Sequence, residues 1–135
     1  MWRVLDFAGA LVVNDDSGDV RLSVHEIHRA QIWRGRAHNE LGEIFRAHAD
    51  YFKAIEHYKC AAHLFQAAKD QTRESAVHST LLRLYAGAGG VTPPLFRDRD
   101  LAIEEATKRA KLPKGRDEIG WNEARNFLNK AGVRV

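Results

Sequence analysis

From Ser23 onward the apolar residues recur at steps of three and four, the spacing that keeps one face of an α-helix toward a core. The first run, Ile27, Ala30, Trp33, Ala37, Leu41 and Ile44, leaves Arg34, Arg36, Glu40, Glu43 and Arg46 largely on other faces. Ser23 and Glu26 have the form of a capping box, so the helix is expected to start there. Asp50 is a good N-cap for a second helix, whose apolar positions are Tyr51, Ile55, Tyr58, Ala62 and Phe65. A third begins near Thr72 and carries Val77, Leu81, Leu84 and Ala88, until the Gly- and Pro-rich run from Gly87 to Pro94 ends it. Two shorter helices complete the pattern. One runs from Asp98 or Arg99 to Lys111 with Ala102, Ile103, Ala106 and Ala110 inward. The other runs from Gly120 to Ala131 on Trp121, Ala124, Leu128 and Ala131, closing at Gly132.

Ahead of Ser23 the pattern is different. Leu11 to Val13, a polar turn over 14–19, and the alternation Val20, Leu22, Val24 read as a small β-hairpin, with a helix over 3–12 as the alternative. The expected fold class is all-α, about five helices in a compact bundle with a small N-terminal β-hairpin. The organisation is one helical domain over residues 1–135: an N-terminal segment 1–22, a three-helix core 23–88, a Gly/Pro joint 89–97 and two shorter helices in 98–135.

Composition narrows the compartment and the partners. The chain has 135 residues and a single cysteine, Cys60, which excludes an intrachain disulfide and a thiolate zinc site and points to a reducing, cytoplasmic location. No apolar stretch approaches the roughly 18 residues a membrane span requires, and the N-terminus does not have the form of a signal peptide. The formal net charge is +3, and all of it falls in residues 97–135, which carry 10 Lys and Arg against 7 Asp and Glu. The two parts of the chain are therefore suited to different contacts.

Residues 35–68 carry Leu41, Gly42, Phe45, Ala49, Tyr51, Ala54, Tyr58 and Ala61. In that spacing they resemble a single tetratricopeptide repeat, the 34-residue helix-turn-helix unit. His38 and Gln66 depart from the family pattern, and a shift of 34 residues brings up no second copy. The resemblance implies two antiparallel helices in close contact, Gly42 and Ala54 leaving room for Leu41, Phe45 and Tyr58. It also implies a protein or peptide ligand held on the face of the first helix, where Arg36, Asn39, Glu43 and Arg46 form a polar stripe. The expected function is thus a protein–protein interaction module: an adaptor, inhibitor or small regulatory subunit.

The alternative is an RNA-binding or RNA-cleaving domain. Arg73 to His78 fits the Arg-x4-His pattern of the HEPN family, in which the resemblance implies an Arg that holds phosphate and a His that moves a proton. With 14 Arg and 7 His in the chain, chance alone supplies about two cases of an Arg followed by a His after four to six residues, and two occur, Arg73 to His78 and Arg21 to His28. Lys108, Arg109, Lys111, Lys114 and Arg116 place five cations within nine residues. They suit phosphate contact, or complement a helix C-terminus with no partner at all. His25 and His28 could supply two metal ligands, but no further motif joins them, and the sequence implies neither a metal nor an organic cofactor. The glycines from Gly87 to Gly90 lack the Lys and Ser or Thr of a phosphate-binding loop.

Overall fold

The computed structural model describes residues 2–5, 11–14, 23–87 and 96–134. Five helices make up most of them: α1 (Val24–Ala47), α2 (Tyr51–Ala67), α3 (Gln71–Ala86), α4 (Arg99–Lys111) and α5 (Glu118–Lys130). The fold class is all-α. Its small β element is an antiparallel pair, β1 (Trp2–Leu5) with β2 (Leu11–Asn14), in which Leu5 faces Leu11. The strand expected over 11–13 is therefore present with a different partner: Trp2–Leu5 takes the place of 20–24, and Val24 opens α1 instead. Residues 20–22 lie outside the described residues.

Every helix begins on a side chain that accepts a backbone N–H left over at its N-terminus. Ser23 Oγ accepts from Glu26 at 3.1 Å. Asp50, Asp70, Asp98 and Asp117 do the same for Lys53, Arg73, Leu101 and Gly120 at 3.0–3.3 Å. Two of these aspartates also finish the helix before. Asp50 N–H donates to Phe45 O and Asp70 N–H to Phe65 O, both at 2.9 Å, while Ala49 and Lys69 take left-handed backbone angles with φ of 59°. These are Schellman turns in which the last residue of one motif is the cap of the next helix. The two turns are alike, so α1, α2 and α3 succeed one another with the same tight reversal.

α1 lies against α2 through its two glycines. A Cβ at Gly35 would stand 2.6 Å from Phe65 Cε1, and one at Gly42 would stand 2.8 Å from Tyr58 Cε1. The rings of α2 are the knobs, and the bare backbone of α1 is the hole. The contact expected at Gly42 is present; Gly35 extends it by two turns. Ala54, fully buried, is a packing residue as expected.

The apolar run expected to face inward from α1 is corrected. Trp33 is 68 % exposed, Ile44 51 % and Leu41 39 %, and Ala37 is exposed too. The buried positions of α1 are Gly35 and Gly42, with Ile32 and Phe45 packed at the core's edge. Counting apolar side chains rotates this helix the wrong way because its packed face is built from absent side chains.

The expected apolar positions of α2 are all buried, as are Val77, Leu81 and Leu84 of α3. α3 packs on α2 and α4, and α5 closes over α4 and α3. Ala102, Ala106 and Ala124 are fully buried, small enough to let these shorter helices approach. Of the expected Gly/Pro joint, residues 89–95 lie outside the described residues. On either side, Gly87 caps α3 at φ 69°, Phe96 packs 5.7 Å from Tyr51 between ring centres, and Asp98 N–H donates to Tyr85 O at 2.9 Å. The start of α4 is therefore tied back to α2 and α3. No helix among the described residues is long and apolar enough to cross a membrane.

Candidate functional site

Depressions border α3, of which one holds Arg73, another His78, and a smaller one Lys114 and Arg116. The first is an open groove of about 220 Å³. Arg36, Asn39 and Glu43 from α1 and Arg73, Ala76 and Thr80 from α3 form its sides, with the edge of Phe65 from α2 at its floor. The repeated Schellman turn produces this geometry by setting α1 and α3 on the same side of α2.

Within the groove the polar groups differ in freedom. Glu43 Oε1 accepts the Tyr58 hydroxyl at 2.7 Å, and its other oxygen is held by Arg46. Burial, then the Glu43 carboxylate, keeps the Tyr58 phenol far above its ordinary range and therefore neutral. Glu43 and Arg46 thus act mainly in holding α1 to α2, and Arg46 does not line the groove. Arg36 is exposed with its guanidinium 5.5 Å from the Trp33 ring centre, and Asn39 is half-buried. Arg73 is exposed and donates to Asp70 Oδ2 at 2.6 Å.

The second depression is a cavity of about 530 Å³ between α2, α3 and α4. At its floor His78 is 5 % exposed and lies between two buried carboxylates: Nδ1 is 2.6 Å from Glu105 Oε2 and Nε2 is 3.0 Å from Glu74 Oε2. Neutral imidazole has one N–H, so it cannot donate to both. Lys108 Nζ approaches from the rim, 3.5 Å from both Glu104 Oε1 and Glu105 Oε1. No known protein family, curated protein or solved structure matches this chain.

The geometry separates the nuclease pair. Arg73 lines the groove and His78 the cavity, on different faces of α3. Both ring nitrogens of His78 are occupied, which leaves none to take a substrate proton. The basic C-terminal set is also dispersed. Arg109 is 0 % exposed, bound to Asp117 Oδ2 at 3.2 Å and to the carbonyl oxygens of Pro113, Lys114 and Asp117 at 2.7–3.2 Å, so it holds the α4–α5 loop and is closed to phosphate. Lys108 pairs with Glu104 and Glu105. Lys114 pairs with Glu118 at 3.2 Å and lies 5.2 Å from the Trp121 ring centre. Lys111 and Arg116 are exposed.

Among the described residues no His, Cys, Asp and Glu side chains group to hold a metal ion. Within the His78 cluster the carboxylates approach opposite ring nitrogens, a poor arrangement for sharing one ion. Of the cavity's chemical groups Glu74, His78 and Tyr85, spaced by four and seven residues along α3, fall on one helix face that the sequence spacing alone could have grouped. Glu105 is brought in by the packing of α4 on α3.

Proposed function

We propose that this chain is a peptide-binding module of tetratricopeptide-like character, acting as an adaptor, inhibitor or regulatory subunit in the cytoplasm. The observation that carries the reading is the groove between α1 and α3. Arg36 and Asn39 on one side oppose Arg73 and Thr80 on the other, over an apolar floor at Phe65. The Asn39 amide offers both a donor and acceptors, the complement of a peptide group. Arg36 and Arg73 offer planar forks suited to carboxylates while Glu40 and Glu43 line the same groove, so the ligand that fits is an extended segment bearing side chains of both charges, its acidic ones meeting the arginines.

The test is capture of the native partner by wild-type protein and by the Arg36→Glu/Arg73→Glu variant. Arg73 occupies the first turn of α3, where a carboxylate is favourable to the helix, and Arg36 is exposed, so circular dichroism and melting are expected to be nearly unchanged. Capture is expected to fall at least tenfold, because like charges meet across the contact. Undiminished capture by the folded variant overturns the reading.

A further inference from the structure

Because Gly35 and Gly42 turn toward α2, the apolar side chains of α1 are left on its outer side. Ala30, Trp33, Ala37, Leu41 and Ile44 fall within about 40° of one direction around the helix, and the two glycines lie about 140–160° from it. Trp33, Ala37, Leu41 and Ile44 are all exposed. Helix α1 packs mainly on α2 and is the end layer of the succession α1, α2, α3. The end of a stacked helical array ordinarily turns a polar face to water, because a contiguous apolar one associates. The spacing of this stripe identifies what covers it. Its members stand at −7, −4, 0, +4 and +7 from Ala37, an order that reads the same in both directions. One turn further out, at −11 and +11, stand Glu26 and His48, both exposed.

We propose that the stripe binds a second copy of this chain, the two α1 helices running antiparallel about a twofold axis at Ala37. Each residue then meets its mirror in the spacing. Trp33 of either copy lies level with Leu41 of the other, and Ile44 lies level with the small Ala30. The two Ala37 side chains meet at the axis, where their size lets the helices approach closely. On one flank the exposed Glu40 stands about 3 Å along the axis from the exposed Arg36 of the other copy, so two ion pairs border the apolar contact. At each end Glu26 meets His48. A parallel pairing sets Trp33 on Trp33, Ile44 on Ile44 and Glu26 on Glu26, which loses the fit of large against small and brings like charges together. One helix pair buries on the order of 1,000 Å², the lower end for a specific interface, so the dimer is reversible, with dissociation in the micromolar range. The stripe shares Arg36 and Glu40 with the edge of the peptide groove, and the pairing does not rest on what the groove binds.

The experiment is sedimentation equilibrium of the full chain across micromolar to millimolar concentrations, with circular dichroism as the control for folding. A monomer–dimer equilibrium is expected. Trp33→Lys and Leu41→Glu, each at an exposed position, are expected to keep the helical spectrum and to weaken dimerisation at least tenfold, because each charge meets an apolar side chain across the axis. Mixing the two variants tests the orientation. Antiparallel pairing sets the new lysine against the new glutamate and the remaining Trp33 against the remaining Leu41, so a heterodimer at least tenfold tighter than either homodimer is expected. Parallel pairing makes neither contact. If a charged variant loses its helical spectrum, Ile44→Gln puts the same question at another position of the stripe, again with at least tenfold weakening expected. A chain that stays monomeric overturns the proposal, whatever else covers the stripe. So does a dimer left intact by folded Leu41→Glu or Ile44→Gln, or a mixture of folded variants that forms no heterodimer.

Discussion

A hydrogen atom in place of a side chain decides how α1 meets α2. Glycine in a helix interior ordinarily costs up to about 1 kcal/mol relative to alanine, so a Gly→Ala change on an open helix face is stabilising. At Gly35 and Gly42 the sign reverses, because the new methyl would press into the rings of Phe65 and Tyr58, which are buried and cannot turn away. Gly42→Ala is expected to cost roughly 1–3 kcal/mol by overpacking, measured by urea unfolding. Gain of stability would show that the helices separate without penalty. A second residue-scale prediction concerns pH. His38 Nδ1 and His57 Nδ1 are 3.0 Å apart with the rings stacked, so only one of the two nitrogens can carry the shared proton. Burial, then the charge of His57 and of Arg34, lowers the His38 pKa from its ordinary 6.5. The folded chain then binds fewer protons than the unfolded chain, and the contribution of His38 is complete above pH 6.5 and is lost as pH falls from there toward the lowered value. Melting temperatures between pH 8 and pH 5 are expected to fall less steeply in His38→Gln than in wild type. Equal slopes would remove His38 as the cause.

At the scale of elements the repeated turn is the device that sets the course of the chain. Helix α1 passes to α2 and α2 to α3 through the same three steps: an aromatic carbonyl, a left-handed residue and an aspartate that caps the next helix. Ala49 and Lys69 occupy the left-handed position with φ of 59°, where an L side chain costs roughly 1–2 kcal/mol. Part of a glycine's advantage there is offset by its greater freedom when unfolded. Ala49→Gly and Lys69→Gly are each expected to raise stability by about 0.5–1 kcal/mol, read as higher urea midpoints with unchanged slope. Loss of stability in either would mean that the side chain contributes contacts outweighing its backbone strain. Of this device the Asp50 cap was legible in the sequence, where Ala49 counted only as a small residue of the repeat pattern. Asp70 and Lys69 were obscured because Lys is not a residue that announces a left-handed turn, and the third helix was accordingly expected to begin a residue or more late.

Over the whole molecule the final helix is docked by one buried cation. Arg109 directs its donors to Asp117 and to three backbone carbonyls of the α4–α5 connection, and Asp117 also accepts from Ser79 Oγ of α3 at 2.6 Å. Arg83 and Glu123 add a second link between α3 and α5 at 2.8 Å, though both are half-exposed and count for less. Arg109→Met is expected to lower stability by about 3–5 kcal/mol, because Asp117 loses its buried partner and the loop loses its donors. Hydrogen exchange should show residues 118–130 losing protection before α2 does. Arg109→Lys should rescue little, since an ammonium cannot reproduce the planar fork. Uniform loss of protection along the chain would mean that Arg109 serves the entire core rather than the docking of α5.

What the sequence determined by itself is local. Helix period, caps and glycine stops depend on neighbours within a few residues, which is why five helices, the caps at Ser23 and Asp50, and the inward face of α2 could all be read from it. The direction in which α1 faces was decided only in the tertiary structure, because the surface it buries consists of Gly35 and Gly42 and becomes complementary only when Tyr58 and Phe65 arrive from α2. The fates of the charged residues were decided there as well. Arg109 and Lys111, two positions apart on one basic helix end, became a sealed structural cation and a solvated one according to which face met α5. Glu74, His78, Glu105 and Tyr85 became a cavity through the approach of α4, since contact across 27 positions of sequence, as between His78 and Glu105, is set by packing and leaves no periodic trace in the chain.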